Sequence, residues 1–309
     1  MAEFVRWGVL STSGHAANTV IPAMKAASSG RVMAVASRDA GRARAYAAAQ
    51  GIPRSFGSYE ALLADPAIDA VYIPLPNSLH REWTIRAAEA GKHVLCEKPL
   101  ALNAAQAAEM VAACRQAGVK LAEAFQWRHH PQAQRARALL RDGAIGALRL
   151  IEAGFTFPLA RTTDIRLLPE LGGGALYDVG CYPIALARYM TGAEPLSVTA
   201  QATWTESGVD DLLVGTLAFP GGVLAHFNCS LRLPLRRYYE LVGAEGSLLV
   251  NLAYNPKEDA PGEIIKRGDD RRPLETYTTE RLNSYTLMTE DFNRAVLDGA
   301  EVPFPAEDA

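Results

Sequence analysis

Residues 4–16 read Phe-Val-Arg-Trp-Gly-Val-Leu-Ser-Thr-Ser-Gly-His-Ala, a short apolar run that ends in small and polar residues. An Ala-rich segment of helical composition follows directly. In doubly wound α/β proteins, the turn from the first strand to the first helix has the pattern Gly-x-Gly-x-x-Gly/Ala, because small residues let the backbone approach a pyrophosphate. Ser11, Ser13 and Ala16 stand at these three positions. The stretch therefore predicts a strand–turn–helix unit whose helix N-terminus faces an anion.

Strand-like and helix-like segments alternate over the first 125 residues. Apolar runs predict strands at 4–10, 32–37, 70–74, 93–96 and 120–125, and Ala-rich segments predict helices at 16–27, 40–50, 79–90 and 104–117. Asn103 is a typical N-cap, and a glycine follows each helix, namely Gly30, Gly51, Gly91 and Gly118. This alternation indicates right-handed βαβ units in a parallel sheet that is covered on both faces. We therefore predict an α/β fold with a Rossmann domain over residues 1–124.

The pattern changes after residue 125. A helix at 131–141 is followed by alternating runs that predict strands at 148–157, 196–205, 212–219, 223–231, 238–242 and 247–252. Strands without intervening helices favour an antiparallel sheet, so we predict a second, α+β domain over residues 125–309 with an open, mostly antiparallel sheet. A last helix is predicted at 286–297. The final residues, 304–309, read like the start of another helix, which leads us to expect a trimmed C-terminus.

Composition narrows the class of protein. The chain has 309 residues, of which 49% are apolar and 21% charged, as in a globular protein of two domains. Its net charge of −3 gives no electrostatic reason to expect nucleic acid or an anionic membrane as partner. No apolar run approaches the ~20 residues that span a bilayer. The four cysteines lie far apart without a Cys-x-x-Cys pair, which favours a reducing cytoplasm. The adjacent His129 and His130 have no third metal ligand at helical spacing, so we expect no metal.

The predicted nucleotide site begins with the turn itself, formed by Ser11, Thr12, Ser13, Gly14 and His15. An ordinary strand-to-helix turn with a serine cap is the alternative. The second strand ends in Ser37-Arg38, where an NAD-preferring fold usually has an acidic residue. A guanidinium suits a 2′-phosphate, so Arg38 predicts NADP, with NAD as the second choice. The alternative is a solvated surface arginine, and Asp39 is expected to cap the next helix.

Two further segments follow strands at the same predicted edge of the sheet. Leu75-Pro76-Asn77 and His80 come after the fourth strand and are expected to line the nicotinamide, although His80 also suits a helix start without a ligand. Glu97-Lys98-Pro99 comes after the fifth strand, at the carboxyl edge where doubly wound folds bind ligands. An ammonium there orients a substrate hydroxyl and lowers the pKa of a neighbouring acid. The alternative is a surface lysine beside a solvated carboxylate.

In the second domain, residues 171–183 combine three glycines with Asp178, Tyr182 and Pro183. Asp178 and Tyr182 are four residues apart and share one face if the segment is helical, although a proline inside a helix removes a hydrogen bond and kinks it. A tyrosine of this kind can transfer a proton to or from a substrate oxygen while hydride moves. A buried tyrosine bonded to Asp178 is the alternative.

Together, the segments around Ser11-Thr12, Glu97-Lys98-Pro99, Gly172-Gly173-Gly174 and 178–182 resemble the glucose–fructose oxidoreductase/inositol dehydrogenase/MocA (Gfo/Idh/MocA) family over essentially the whole chain. The resemblance implies a Rossmann domain for NAD or NADP and a second domain whose open sheet supports the active site and often the oligomer interface. This sequence departs from the family pattern in two ways: it has serines at the first two glycine positions, and it lacks the usual last helix.

The resemblance also implies roles for individual residues. Lys98 is similar to the family's catalytic lysine, and Tyr182 stands where many members have histidine. The tyrosine version resembles the branch of glucose–fructose oxidoreductase, dimeric dihydrodiol dehydrogenase and NADP-dependent xylose dehydrogenase. Asp178 then helps to place the substrate. Weaker substrate-site candidates are Arg128, Asp164, Arg166 and Tyr177.

We therefore expect a cytoplasmic NADP-dependent oxidoreductase, a homodimer or homotetramer, that oxidises an aldose to its lactone. A nucleotide-sugar ketoreductase and a trans-dihydrodiol dehydrogenase are alternatives that the residues alone do not separate. A third alternative, from another class, is a nucleotide-binding sensor or regulator without turnover, against which the presence of both Lys98 and Tyr182 argues.

Overall fold

The computed structural model describes residues 3–161, 163–254 and 260–309 of the chain. The chain divides into two compact units, of which the first holds residues 1–125 together with 285–309 and the second holds residues 126–284. The sequence pattern placed the boundary at 124, close to the observed one. It also placed everything after 125 in the second domain, whereas the last 25 residues belong to the first unit.

The first unit contains a six-stranded parallel sheet. Its strands are β1 (Val5–Leu10), β2 (Gly30–Ala36), β3 (Arg54–Phe56), β4 (Ala70–Ile73), β5 (His93–Glu97) and β6 (Leu121–Ala124). Its helices are α1 (Ile21–Ala26), α2 (Ala40–Gln50), α3 (Tyr59–Leu63), α4 (His80–Glu89) and α5 (Ala104–Ala117). The sheet order is β3-β2-β1-β4-β5-β6. This order confirms the Rossmann prediction, and its direction reverses between β1 and β4, where such sheets bind ligands at their carboxyl ends.

Local signals explain where most of these helices begin and end. The Asn103 side chain accepts a hydrogen bond of 3.0 Å from the Gln106 N–H, which caps α5 as predicted. Gly118, at a φ of 68°, ends the same helix in a left-handed conformation that glycine adopts without strain. Gly30 is different from the prediction, because it begins β2 instead of ending a helix. A side chain there would meet Asn293 at 2.8 Å, so close packing explains this glycine.

The last helix, α8 (Ser284–Asp298), accounts for the difference in domain assignment. Met288 and Phe292 join the apolar core formed by one face of the parallel sheet. The indole N–H of Trp7 in β1 donates a buried hydrogen bond of 2.9 Å to Asn293, and the Trp7 and Phe292 rings lie 5.3 Å apart. An amphipathic pattern predicts that a helix has a buried face but does not say which sheet it covers.

The second unit contains helices α6 (Pro131–Arg141) and α7 (Cys181–Thr191) and an eight-stranded sheet. The strands are β7 (Leu148–Thr156), β8 (Ser197–Trp204), β9 (Asp210–Ala218), β10 (Leu224–Ser230), β11 (Arg236–Gly243), β12 (Ser247–Asn251), β13 (Glu263–Arg267) and β14 (Pro273–Thr278). Their order is β14-β13-β12-β11-β7-β10-β9-β8, and all neighbours are antiparallel except the parallel pair β7 and β10. The predicted mostly antiparallel sheet is therefore confirmed.

Four short elements had no sequence prediction, namely β3, α3, β13 and β14. The first two have three and five residues, too few to show a period, and most side chains of β14 are exposed, which removes the alternation that marks a half-buried strand. In the described part of the chain, no helix combines the length and the apolar character that crossing a membrane requires.

Candidate active site

The turn after β1 forms a small cap for the helix that follows it. The Ser13 carbonyl accepts hydrogen bonds from the Ala17 N–H at 3.0 Å and from the Tyr46 hydroxyl at 2.9 Å. The Ser13 hydroxyl accepts from the Ala16 N–H at 3.4 Å. At Gly14, an added side chain would meet no atom within 4 Å, so the backbone there borders open space. The turn thus keeps an accessible helix start although serines replace two glycines, and this geometry suits a phosphate.

The helix after this turn starts with a wide turn. Residues Ala16–Val20 have π-helical hydrogen bonds, in which the Ile21 N–H reaches the Ala16 carbonyl five residues back, and α1 follows with Pro22 near its start. Proline normally clashes with the carbonyl four residues earlier. A turn widened to five residues relieves that clash, and π turns of this kind occur frequently at functional sites.

Glu97, the last residue of β5, connects three parts of the first unit. Its Oε1 accepts a hydrogen bond of 2.6 Å from the Tyr72 hydroxyl and lies 3.7 Å from His15 Nε2, while Oε2 accepts from the Lys98 N–H at 3.2 Å. Burial raises the pKa of Glu97, but the contacts with His15 and the charge of Lys98 outweigh it, so the pKa lies below its ordinary value. The carboxylate therefore stays ionised. It connects His15, in the turn after β1, to the turn after β5 that contains Lys98.

The loops after β4 and β5 are joined by His80, the first residue of α4. The imidazole is fully buried, and its Nδ1 and Nε2 lie 2.9 Å from the carbonyl oxygens of Pro99 and Leu75 respectively. Burial lowers the pKa of His80 although both carbonyls oppose the shift. Because the ring has no exposed surface and His80 begins α4, the alternative of a helix start without a ligand fits this residue better than a place beside the nicotinamide. Pro76 and Asn77 are partly exposed at this edge, and Leu75 is buried.

Arg38 follows β2 at the carboxyl edge of the sheet and is exposed, whereas Ser37 is buried. The Asp39 carboxylate accepts a hydrogen bond of 2.6 Å from the Arg42 N–H, which confirms it as the cap of α2. Burial raises the pKa of Tyr59, and the charges of Arg38 and Arg42 partly oppose the shift. Arg42, in the first turn of α2, is also exposed and is a second candidate phosphate ligand that sequence reasoning missed.

In the second unit, three of the predicted substrate residues form one cluster. Arg166 Nε donates a hydrogen bond of 2.6 Å to Asp178 Oδ2, and its Nη1 lies 3.1 Å from Asp164 Oδ1. Burial lowers the pKa of Arg166, but the two carboxylates outweigh it and raise the pKa above its ordinary value. The guanidinium is thus permanently charged and fixes the orientation of Asp178. Charged donors and acceptors held in this way are well suited to the hydroxyl groups of a sugar.

Helical structure runs through Asp178 and Tyr182 despite Pro183. Residues Leu176–Gly180 form a π-helical turn, in which the Cys181 N–H reaches the Leu176 carbonyl, and α7 continues from Cys181. The widened turn makes room for the ring of Pro183, as at Pro22. The sequence left open whether this proline breaks the helix, and the structure shows that it does not.

The three glycines before this helix allow the loop of Arg166 to pack against it. Gly172, at a φ of 74°, ends a short 3-10 turn. A side chain at Gly173 would meet the Arg166 carbonyl at 2.5 Å, and one at Gly174 would overlap the Asp210 carboxylate. Asp210 in turn accepts a hydrogen bond of 2.7 Å from the Leu176 N–H at the helix start. The glycines are thus required for backbone packing.

We expect Gly174→Ala to lower the free energy of unfolding by about 2–5 kcal/mol. At the φ of 113°, any residue type other than glycine has a strained backbone, and the new methyl group would overlap Asp210. Urea denaturation measures the loss. Gly208→Ala is the matched control, since Gly208 also has a positive φ, of 88°, but nothing within 4 Å. Equal losses in the two variants would contradict the steric argument.

Tyr182 lies in an aromatic cluster and is 6% exposed. Its ring meets Phe155 edge-on at 5.1 Å and Tyr254 at 5.4 Å, and Phe155 and Tyr254 stack at 5.7 Å. Tyr254, which sequence reasoning missed, has a φ of 68° and is 2% exposed. These neighbours fix the ring plane of Tyr182 and leave its hydroxyl as the chemically distinctive part.

The two remaining weaker candidates are Arg128 and Tyr177. Arg128 is buried, and its guanidinium lies 5.8 Å from the ring centre of its neighbour Trp127, whereas Tyr177 is partly exposed on the turn before α7. Among the residues that the structure describes, no group of His, Cys, Asp or Glu side chains is arranged to hold a metal ion.

Comparison with known proteins covers both units. Residues 5–125 match the family model of an oxidoreductase family with an NAD-binding Rossmann fold, and residues 133–249 match that of the GFO/IDH/MocA C-terminal domain. The NADP-dependent D-xylose 1-dehydrogenase 2 of Haloferax volcanii is 42% identical over 295 residues, which cover 95% of this chain and 89% of that protein.

Two further similar proteins act on or bind thymidine nucleotides according to their names. The dTDP-3,4-didehydro-2,6-dideoxy-alpha-D-glucose 3-reductase of Saccharopolyspora spinosa is 41% identical over 308 residues, which cover 99% of this chain and 92% of that protein. The crystal structure of a 3-ketoreductase from Actinomadura kijaniata, in complex with NADP and TDP-benzene, superposes with a TM-score of 0.93 at 33% identity, covering 99% of this chain and 93% of that one.

Proposed function

This chain belongs to the GFO/IDH/MocA family of oxidoreductases, and we propose that it transfers hydride between NADP and a sugar, with oxidation of an aldose to its lactone as the reaction. The observation that carries this proposal is the place of Lys98, directly after β5 at the carboxyl edge of the Rossmann sheet, in a turn that buried side chains hold. An ammonium at this edge is placed for chemistry on a bound ligand. The similarity to an NADP-dependent xylose dehydrogenase supports both the cofactor and the sugar.

The residues of the first unit fit a dinucleotide phosphate. The open backbone at Gly14 suits the pyrophosphate, and the exposed Arg38 and Arg42 suit the 2′-phosphate. When bound, NADP supplies the hydride acceptor. In our proposal, the tyrosinate form of Tyr182 accepts the proton of the substrate hydroxyl while the hydride leaves the carbon that bears this hydroxyl, so that a CH–OH group becomes C=O. Lys98 orients the reacting oxygen, and Asp178 accepts a hydrogen bond from a neighbouring hydroxyl.

A reductase of a nucleotide-linked keto-sugar is the second candidate, and the similarity to the Saccharopolyspora spinosa and Actinomadura kijaniata enzymes favours it. The test is to titrate NADPH and NADH by fluorescence and then to follow absorbance with NADP and a panel of aldoses. Turnover of any aldose supports the dehydrogenase. Binding of NADPH without aldose turnover directs the search to keto substrates with NADPH, and binding of neither nucleotide would overturn the proposal.

We expect Arg38→Ala to raise the Kd for NADPH roughly ten- to hundredfold, the loss of one charge-assisted hydrogen bond, and to leave the Kd for NADH nearly unchanged. Only NADPH has the 2′-phosphate that a guanidinium grips. Fluorescence titration measures both constants. Arg44→Ala, which removes another exposed arginine of the same segment, is the control. Equal weakening of both nucleotides would show that Arg38 does not read the 2′-phosphate.

We further propose a homodimer or homotetramer that forms through the open face of the second sheet. Val214 and Leu224 are about half exposed and share this face with the ion pair of His226 and Glu152. Light scattering measures the mass, and a single chain would contradict the proposal.

Four free cysteines also suit a reducing compartment such as the cytoplasm.

A further inference from the structure

The turn that bears Lys98 is held at three consecutive residues. The Lys98 N–H donates to Glu97 Oε2 at 3.2 Å, the Pro99 carbonyl lies 2.9 Å from His80 Nδ1, and the Leu100 N–H donates to Glu123 Oε1 at 3.0 Å. These three side chains come from β5, α4 and β6. Such a turn has little freedom, so the direction in which Lys98 leaves the backbone is set by its supporting side chains.

His80 contacts a second loop as well. Its Nε2 lies 2.9 Å from the carbonyl of Leu75, which begins the segment Leu75–Asn77 after β4. One fully buried ring therefore ties together the two loops at the carboxyl ends of neighbouring strands. Both neighbours are carbonyl oxygens, which only accept, so the ring donates to both of them when each nitrogen carries a proton, and the neutral ring donates to one of them at a time.

We propose that His80 is a positioning residue with two separable effects, one on Lys98 through the Pro99 carbonyl and one on the Leu75–Asn77 loop through the Leu75 carbonyl. The inference rests on the proposed function, in which Lys98 acts on the substrate and the Leu75–Asn77 loop lines the cofactor. His80 itself touches neither ligand, because it is fully buried.

Two amide side chains separate the two effects. In His80→Asn, the amide nitrogen is one bond from Cγ, like Nδ1, and keeps a donor beside the Pro99 carbonyl. In His80→Gln, it is two bonds from Cγ, like Nε2, and keeps a donor beside the Leu75 carbonyl. Both partners are carbonyl oxygens, so an NH2 group is a suitable donor at either place.

We expect His80→Gln to lower kcat roughly ten- to hundredfold, as a misplaced catalytic group does, with the Kd for NADPH within about twofold of the parent. We expect His80→Asn to raise the Kd for NADPH about tenfold, the effect of one lost buried hydrogen bond, and to keep most of kcat at saturating cofactor. Fluorescence titration gives Kd without turnover, and thermal unfolding shows whether both variants fold alike.

A background without the ammonium isolates the effect on Lys98. In Lys98→Met, adding His80→Gln should lower the residual kcat by less than about twofold, because the group that His80 positions is gone. His80 would have a purely structural role if kcat and Kd changed equally in His80→Gln and His80→Asn and in proportion to the fall in melting temperature. The same would follow if His80→Gln lowered kcat in the Lys98→Met background as much as it does in the parent. If the parent protein binds NADPH but turns over no substrate, the proposed function fails, while the difference in Kd between the variants still tests the Leu75 half.

Discussion

Replacing Tyr182 by phenylalanine is expected to lower kcat by roughly 10²–10⁴ and to leave the Kd for NADPH unchanged. The ring of Tyr182 packs edge-on against Phe155 and Tyr254, and phenylalanine keeps these contacts. Only the hydroxyl is lost, and in the proposed reaction this hydroxyl exchanges a proton with the substrate oxygen. Steady-state rates with NADP and a substrate from the aldose panel measure the effect.

Tyr239→Phe is the matched control for this substitution. Tyr239 is also buried in the second unit, and its hydroxyl has no hydrogen-bond partner among the residues that the structure describes. Its removal should therefore leave kcat unchanged and should not destabilise the protein, because a buried hydroxyl without a partner costs free energy. Unchanged turnover in Tyr182→Phe would remove Tyr182 from the mechanism. A comparable loss of kcat in Tyr239→Phe would show that removing any buried tyrosine hydroxyl of the second unit lowers turnover.

The parallel sheet could be predicted because both of its faces are covered. Strands such as β1 and β4 then read as continuous apolar runs, and the helices between them have clear ends, such as the caps at Asn103 and Gly118. The final helix was predicted as an element but assigned to the wrong unit. Its packing depends on Trp7 and Asn293, which are 286 residues apart in the chain, and no local pattern reports such a contact.

The candidate site could be predicted as residue types but not as contacts. Asp164, Arg166 and Asp178 were singled out separately, and the structure joins them into one ion-pair cluster. His80 was also singled out, but as a cofactor residue, because its sequence neighbours suggest an exposed loop and do not show that Pro99 and Leu75 enclose the ring. Tyr254 was missed, since its signal is a left-handed backbone, which the sequence around it does not reveal.

The two widened helical turns show how local irregularity serves the site. The first follows the predicted nucleotide turn at residues 11–15, the second contains the predicted site residue Asp178, and each precedes a proline, Pro22 or Pro183. A sequence reading treats such a proline as a helix breaker, because it assumes hydrogen bonds four residues apart. In this chain, the five-residue hydrogen bonds let the helix continue, so Asp178 and Tyr182 lie on one helical segment.

Replacing Lys98 by methionine is expected to lower kcat/KM by roughly 10²–10³. The neutral side chain keeps the stem but removes the ammonium, which in the proposed reaction orients the substrate oxygen. Steady-state rates with saturating NADP measure the loss.

The double variant Lys98→Met with Tyr182→Phe shows whether the two residues act in one step. If the ammonium acts through the tyrosine hydroxyl, the double variant should be hardly slower than Tyr182→Phe alone, since groups that act as a unit are strongly non-additive. Independent roles would instead multiply the two losses. Lys98→Arg keeps the charge in a different shape and should retain more of kcat/KM than Lys98→Met does. A parent-like kcat/KM in Lys98→Met would mean that the ammonium takes no part in the reaction, and the proposed role of Lys98 would then be wrong.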